Sequence, residues 1–253
     1  MTIKKLHQIY ITDSNQPLPS SLLEATQTFK NSFPDHSYTL YNSEMLEEFI
    51  ENNISKEALE AYLKLKPYAY KADFGKYCLM YKLGGWYSDI SLKFLKGIQI
   101  NNCDFLGFVD RGEGHIIPNA IPYPICTSLF FSKENSKIFA HAIDLVIKNC
   151  KYEYYGRHPI CPTGPGVLGR ALAINGIQPG NIIGEFTALT PYYEYKNRSY
   201  LLPNGEIIAL HKNAWFPESR GGEIKSFGVE GSNNYVEMYR NKDIYNTQEA
   251  FNF

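Results

Sequence analysis

The stretch KADFGKYCLMYKLGGWYSDIS, Lys71 to Ser91, decides how the chain is read. Its apolar residues keep helical spacing up to Leu83, the pair Gly84-Gly85 punctuates the run, and WYSDIS then alternates like a strand. Glycine takes the conformation that closes helices, so a helix is expected from near Tyr68 to Gly84. Two carboxylates bracket it: Asp73 near its start and Asp89 at the tip of the strand beyond the turn. A carboxylate held at a strand end stands at the carboxyl edge of the sheet, where α/β proteins bind ligands. There it can take a divalent cation through oxygen or accept hydrogen bonds from sugar hydroxyls. A solvated aspartate after a turn is the commoner case, so at this point the site is a hypothesis.

Composition narrows the classes. The chain has 253 residues, 44% hydrophobic and 20% charged, the balance of an ordinary globular protein. Its formal net charge of -1 gives no basic field for nucleic acid, which is excluded as a partner. MTIKKLHQIYITD reads as a first strand and not a leader, and no run of about 18 apolar residues offers a membrane span. The expectation is a cytoplasmic protein, with peripheral contact on the inner face of a membrane as the alternative. The five cysteines are odd in number and lack any C-x-x-C pair, which suits reduced structural thiols.

Outward from the central stretch, strand and helix patterns alternate. Residues 3–11 and YTLYN read as strands, SLLEATQTFKNSF as a helix between them, and residues 43–66 as a helical segment broken near Asn52, with Ser43 as N-cap and Pro67 as stop. Further strands are expected at WYSDISLKFL, FLGFVD, TSLFFS, IIGEFTALTP and EIIALHKNAW, a helix at KIFAHAIDLVIKNC, and a glycine-rich turn at PTGPGVLGRALA. The alternation favours a single α/β domain over 1–253, built on a central mixed, mostly parallel sheet flanked by helices. Near the C-terminus, Tyr235, Met238 and Tyr239 share a helical face that suits either core packing or contact with an acceptor lipid.

The block ADFGKYCLMYKLGGWYSDIS resembles the segment A/S-D-x-x-R-Y-x-x-L-y-x-x-G-G-x-Y-x-D-x-D of the DXD-containing glycosyltransferases. That family includes the yeast initiating mannosyltransferase, bacterial capsule and lipopolysaccharide sugar transferases and, more distantly, the glucosylating clostridial toxins. IKKLHQIYI is similar to the family's opening I-P-K-x-I-H-Q-I-W-I, CPTGPGVL to its T-G-P loop, and ALHKNAWF to its late stretch before a tryptophan. These segments run in family order from Ile3 to Phe216.

The resemblance implies a GT-A-type nucleotide-sugar-binding fold. It also implies retaining transfer of a hexose or N-acetylhexosamine from a nucleoside-diphosphate sugar, UDP-linked in preference to GDP-linked. The acceptor would be an oligosaccharide or lipid-linked glycan in capsule or lipopolysaccharide synthesis. Position by position, Tyr10 would stack on the base, Asp73 contact ribose or sugar hydroxyls, Lys76 hold phosphate or sugar in place of the family's arginine, and Tyr87 stand beside the metal. Gly164 falls in the loop facing acceptor and donor sugar, and the Trp215 indole would donate near the diphosphate. Asp89 would bind Mn2+ or Mg2+, but Ser91 replaces the second aspartate of D-x-D and is a weaker ligand, with His211 and Asn213 the candidates to offset the loss. Residues 217–253, with Arg220 beside two glycines, would form a lid or acceptor segment. The alternative is a member of the same fold that binds a nucleotide sugar or glycan without turning it over.

Overall fold

The computed structural model describes residues 3–13, 16–110, 124–189, 197–216, 218–219 and 224–246. In chain order the elements are β1 (Lys5–Ile9), α1 (Ser20–Ser32), β2 (Ser37–Tyr41), α2 (Ser43–Asn53), α3 (Lys56–Lys64), α4 (Tyr68–Leu83), β3 (Gly85–Ser88), β4 (Lys93–Phe94) and β5 (Phe105–Asp110). They continue with β6 (Leu129–Ser132), α5 (Lys137–Lys151), α6 (Pro165–Asn175), β7 (Asn181–Ala188), β8 (Arg198–Leu201), β9 (Ile207–Leu210), α7 (Lys212–Trp215) and α8 (Tyr235–Arg240). The strands form one nine-stranded sheet in the order β2-β1-β3-β6-β5-β7-β8-β9-β4.

The sheet is mixed, with helices on both faces. Among the described residues the parallel pairs are β1–β2, β1–β3 and β5–β7, and the other pairings are antiparallel, so the expected preponderance of parallel strands is corrected. The reason lies in the connections. Parallel neighbours need crossovers such as α1, whereas β8 and β9 are joined by a tight turn at 202–206 in which Gly205 takes φ +81°.

Strand alternation divides the core. Ile9, Tyr87, Phe105 and Phe130 face α4, α5 and α6 through Phe74, Tyr77, Phe139 and Leu168. Leu6, Trp86, Leu106, Phe108 and Phe131 face the other way, where Phe29 of α1 and Phe33 just past its end cover them.

Chain length then forces a curl. β3 and β4 stand six strand spacings apart in the sheet order, about 29 Å if the sheet were flat. Only Asp89 to Leu92 join them, and the step from Ser88 to Lys93 spans at most about 18 Å. The sheet must therefore roll so that the end of β3 approaches the start of β4, with the aromatic cluster of Trp86, Phe94, Phe108, Phe131, Phe186 and Tyr200 inside the curl.

Local signals explain the differences from the sequence reading. WYSDISLKFL is two strands because Leu92 N–H donates to Asp89 O at 3.2 Å, a turn between them. Asn42, not Ser43, caps α2, its side chain accepting from Met45 N–H. The TGPGVLGRALA stretch continues into α6 instead of remaining a turn, with Pro165 at the first helical position where its missing N–H costs nothing. β8 had no counterpart in the reading. Tyr235, Met238 and Tyr239 of α8 pack against the core, and the Tyr239 hydroxyl donates to Gly156 O at 3.0 Å. The five cysteines are unpaired and buried.

The double glycine is sterically required. Gly84 has φ +57° and Gly85 φ +99°, and a Cβ on Gly85 would lie 2.5 Å from Lys5 O on β1. This close approach lets His7 Nε2 donate to Gly84 O at 2.9 Å. Burial pulls the His7 imidazole down to about 4, against the opposing pull of that carbonyl. Its folded pKa lies below the unfolded value near 6.5, so His7 contributes stability above that value that is lost as pH falls towards 4. Its share of the loss should be on the order of 2–3 kcal/mol. Urea unfolding at pH 7 and pH 4.5 should show His7→Gln losing less stability over this interval than the parent, and equal losses would remove His7 from the account.

Candidate active site

One edge of the sheet gathers the site. The carboxyl ends of β1, β3, β5 and β7, the amino ends of β6 and β8, and the carboxyl end of β9 lie there together. These ends carry Tyr10, Asp89, Asp110, Thr127, Arg198 and His211.

Lys76 is the hub. It projects from α4 with its side chain only 4% exposed, and its ammonium reaches Asp73 Oδ1 at 3.1 Å and Asp89 Oδ1 at 3.3 Å. A third proton reaches Thr127 O at 3.0 Å. Three N–H donors thus meet three acceptors, and the ammonium also lies 4.7 Å from the centroid of the Tyr87 ring. Burial alone would lower the Lys76 pKa, but the carboxylates of Asp89 and then Asp73 outweigh it and hold the ammonium above its ordinary value. Burial pushes the Asp73 carboxyl up, against the Lys76 charge and the Thr163 hydroxyl, which donates to Asp73 Oδ2 at 3.1 Å.

Tyr87 donates to Asp89 Oδ1 at 2.8 Å. Burial first, and the Asp89 charge next, hold the Tyr87 hydroxyl far above its usual range, so it remains a donor. Asp89 Oδ1 therefore takes two hydrogen bonds, while Oδ2 has no partner among the described residues and the side chain is 39% exposed. Gly164 closes the other side of Asp73. A Cβ there would stand 3.2 Å from Asp73 Oδ2, and the Gly164 carbonyl is held by the Tyr77 hydroxyl at 3.2 Å.

The remaining sequence candidates fall as follows. Tyr10 is buried with Leu22, Ile90, Phe227 and Val229, forming the wall beside the Asp89 turn. The Trp215 indole N–H donates to Ser91 O at 3.0 Å, which ties α7 to that turn, and Lys93 stacks over the indole ring. Both expected phosphate donors, Lys76 and Trp215, thus spend their N–H groups inside the protein. Among the described parts of 217–253, Phe227 stacks on Phe216 at 4.2 Å and Gly231 O accepts from Asp13 N–H, beside Tyr10. Arg220 and its two glycines lie outside the described residues.

His211 does not complete a metal site. Its Nδ1 accepts from Asn213 N–H at 3.4 Å and its ring packs 5.3 Å from Phe186, while Asn213 Oδ1 accepts from the Ser219 hydroxyl at 3.0 Å. Burial, reinforced by Lys212 and Arg198, holds His211 well below its usual pKa, hence neutral. Among the described residues no three of His, Cys, Asp and Glu are placed to hold a metal ion. Manganese and magnesium take about six oxygens, and this donor set offers one uncommitted carboxylate oxygen and the buried Ser91 hydroxyl. The residues present do not fit a divalent-cation site by themselves.

Thr127 escaped the sequence reading because it acts through its carbonyl, which leaves no mark on residue type. Asp110 carried the same signal as Asp89, an acid at the tip of a strand, and was passed over.

A mixed sheet with helices on both faces and a polar site at the carboxyl edge is the GT-A-type arrangement. The solved structure of the PaToxG glycosyltransferase superposes with a TM-score of 0.51 over 68% of each chain at 15% identity, a likeness of fold. Residues 19–105 match the glycosyltransferase sugar-binding region containing the DXD motif, a span that holds Asp73, Lys76, Asp89 and Ser91. An uncharacterised glycosyltransferase of Acanthamoeba polyphaga mimivirus is 34% identical over 109 residues, 40% of this chain and 39% of that protein. Over about a third of its length the chain is thus similar to the DXD-containing glycosyltransferases, and it spans well under half of the viral relative. No helix among the described residues is long and apolar enough to cross a membrane.

Removing the hub should be costly. Lys76→Met leaves Asp73 and Asp89 facing one another without a cation, and a loss of about 3–5 kcal/mol is expected in urea unfolding at pH 7. Adding Asp73→Asn should recover part of it. Calorimetry should show weak manganese binding by the parent and binding tighter on the order of tenfold in Ser91→Asp, where a charged oxygen joins Asp89 on the same turn.

Proposed function

We propose that the protein is a retaining glycosyltransferase that moves a hexose or N-acetylhexosamine from a nucleoside-diphosphate sugar, UDP-linked in preference to GDP-linked, to a glycan acceptor of a surface polysaccharide. The observation that carries the reading is the Asp73–Lys76–Asp89 assembly. One buried ammonium fixes two carboxylates on adjoining elements, and both can accept hydrogen bonds from the hydroxyls of ribose or a hexose. The likeness of residues 19–105 to the DXD-containing sugar-binding region supports transfer, and the one-domain reading of 1–253 goes with it.

In the proposed reaction the bond between the anomeric carbon and the diphosphate oxygen breaks, and a bond to the acceptor oxygen forms on the same face. The acceptor's proton passes to the leaving diphosphate. No side chain of the assembly stands as a nucleophile, since Asp73 is buried against Lys76 and Thr163 and the inner oxygen of Asp89 is held by Tyr87 and Lys76. Their role is to hold the donor sugar and orient its hydroxyls, so that positioning contributes most of the rate. Ser91 in the D-x-D position favours one other reading, a member that binds a nucleotide sugar without turnover.

Incubation with a panel of UDP- and GDP-sugars, with and without manganese, separates the readings without knowledge of the acceptor. Slow donor hydrolysis, fastest with one UDP-hexose, is expected. Binding without turnover would select the second reading, and neither binding nor turnover would sink both. Asp89→Asn should cut hydrolysis by at least about a hundredfold while leaving the thermal melt within a few degrees of the parent, because the volume is kept and the charge removed.

A further inference from the structure

The loop that touches Asp73 is held by side chains from outside itself. Residues 154–164 include Pro159, Pro162, Gly156 and Gly164, and Gly156 takes φ +67° to turn the loop back on itself, where a Cβ would stand 2.5 Å from that of Cys161. Such a segment has few backbone N–H groups to offer its own carbonyls, which still need partners. Side chains supply them in order along the loop. The Tyr245 hydroxyl donates to Tyr154 O at 2.6 Å, the Tyr239 hydroxyl to Gly156 O at 3.0 Å, and the Tyr70 hydroxyl to Pro159 O. Asn149 Nδ2 donates to Pro162 O at 2.8 Å, and the Tyr77 hydroxyl to Thr163 O at 2.7 Å.

The row ends on the site. Thr163 is buried, and its hydroxyl donates to Asp73 Oδ2 at 3.1 Å. Two of the tyrosines come from the C-terminal segment, which is itself pinned to the chain just before α4: Lys66 N–H donates to Ile244 O at 3.0 Å and Asn246 N–H to Lys64 O at 2.8 Å. The Tyr239 and Tyr245 rings both pack on Tyr155, at 5.8 and 5.6 Å. Tyrosine suits this task, because a rigid apolar ring carries one hydrogen-bond donor at its far end. Burial raises the pKa values of Tyr70, Tyr239 and Tyr245, so their hydroxyls stay protonated and donate.

We propose that Tyr239 and Tyr245 are positioning residues for the nucleotide-sugar site: by fixing the carbonyls of Tyr154 and Gly156 they hold Thr163 where its hydroxyl orients Asp73. The inference rests on the transferase reading and gives residues 235–246 a part in it, backing the sugar-binding carboxylate from behind. The geometry of Asp73 explains why the loop matters. Oδ1 faces Lys76 and Oδ2 faces Thr163, so the plane of the carboxylate is fixed while both partners are in place. A loop free to shift would leave that plane to be ordered when the nucleotide sugar binds, at a cost in affinity. The tyrosine hydroxyls remove this cost beforehand, from residues that touch neither the sugar nor Asp73.

The test uses the full chain and a panel of UDP-glucose, UDP-N-acetylglucosamine and GDP-mannose, with affinity read by calorimetry and KM and kcat read from hydrolysis. The variants are Tyr239→Phe, Tyr245→Phe, Thr163→Val and the double variant Tyr239→Phe/Thr163→Val. Each tyrosine variant keeps its ring and loses one hydrogen bond, and should weaken binding and raise KM about 3- to 10-fold with kcat within about twofold. Thr163→Val should weaken binding by about tenfold or more. The double variant should bind no more weakly than Thr163→Val, whereas independent residues would multiply their effects. Ser55→Ala, which removes the N-cap of α3, is the control, lowering the thermal melt with binding unchanged. Unchanged affinity in folded tyrosine variants would show the hydroxyls to be merely structural and overturn the proposal, as would multiplied effects in the double variant. Tyr239 is half-buried, so its variant keeps the test open if Tyr245→Phe fails to fold. A parent that binds a nucleotide sugar without hydrolysing it would strike the transferase reading and leave this inference to be decided on affinity, and a parent that binds none would overturn both.

Discussion

The link of four residues between β3 and β4 is the constraint on which the site depends. Because Asp89 to Leu92 must bridge strands that stand third and ninth in the sheet, the sheet rolls and its carboxyl edge becomes a rim instead of a line. The rolled interior is closed by large aromatics, among them Phe29 of α1 and Phe33 just past its end, so the apolar burial that stabilises the fold also holds the rim in shape. Asp89 sits on the link itself. Trp215 fastens the link from the β9 side through Ser91 O, and Tyr87 fastens it from the β3 side through the carboxylate. An extra residue in this turn would relax the curl and move Asp89 away from Lys76, so fold and site share one requirement.

Much of this was legible in the sequence, for reasons that can be named. The helix over 68–83 and its stop at Gly84 were readable because periodicity and a positive-φ glycine are local properties. FLGFVD was read to the residue because a buried apolar run with an acid at its tip has few alternatives as a strand. The parallel-to-antiparallel balance was not readable, since it depends on which strands become neighbours after the roll. β8 went unseen because four residues with charged Arg198 at the head carry too short a pattern. The start of α6 could have been found, as a proline followed by LGRALA is a helix entry whose signal the surrounding glycines obscured.

The site was legible by residue and less so by role. Asp73, Lys76, Tyr87 and Asp89 do come together, and family pattern sufficed to choose them. What the pattern could not supply was the direction in which each donor points. Trp215 was read as a donor towards a diphosphate, yet its indole hydrogen bond is spent on the Ser91 carbonyl. His211 and Asn213 were read as metal ligands, yet each is engaged within α7 and its flanks. Such commitments depend on backbone carbonyls and amides, whose positions no residue type encodes.

The exchange of arginine for lysine at position 76 gains meaning from the same geometry. Three acceptors converge on one nitrogen, two carboxylate oxygens and the Thr127 carbonyl, and a tetrahedral ammonium supplies one proton to each. A guanidinium would present its donors in a plane across several ångströms and could not point them at acceptors clustered around a single atom. The lysine therefore serves the protein's own carboxylates, not a ligand phosphate. It neutralises one of the two negative charges and leaves the assembly with a net charge of minus one, directed outward through Asp89 Oδ2. A ligand meets that face first through hydroxyls, which strengthen as hydrogen-bond donors to an ionised oxygen, while an approaching anion is repelled. In the proposed reaction the diphosphate of a donor would then lie to the side of this face, leaving the carboxylates to read the sugar.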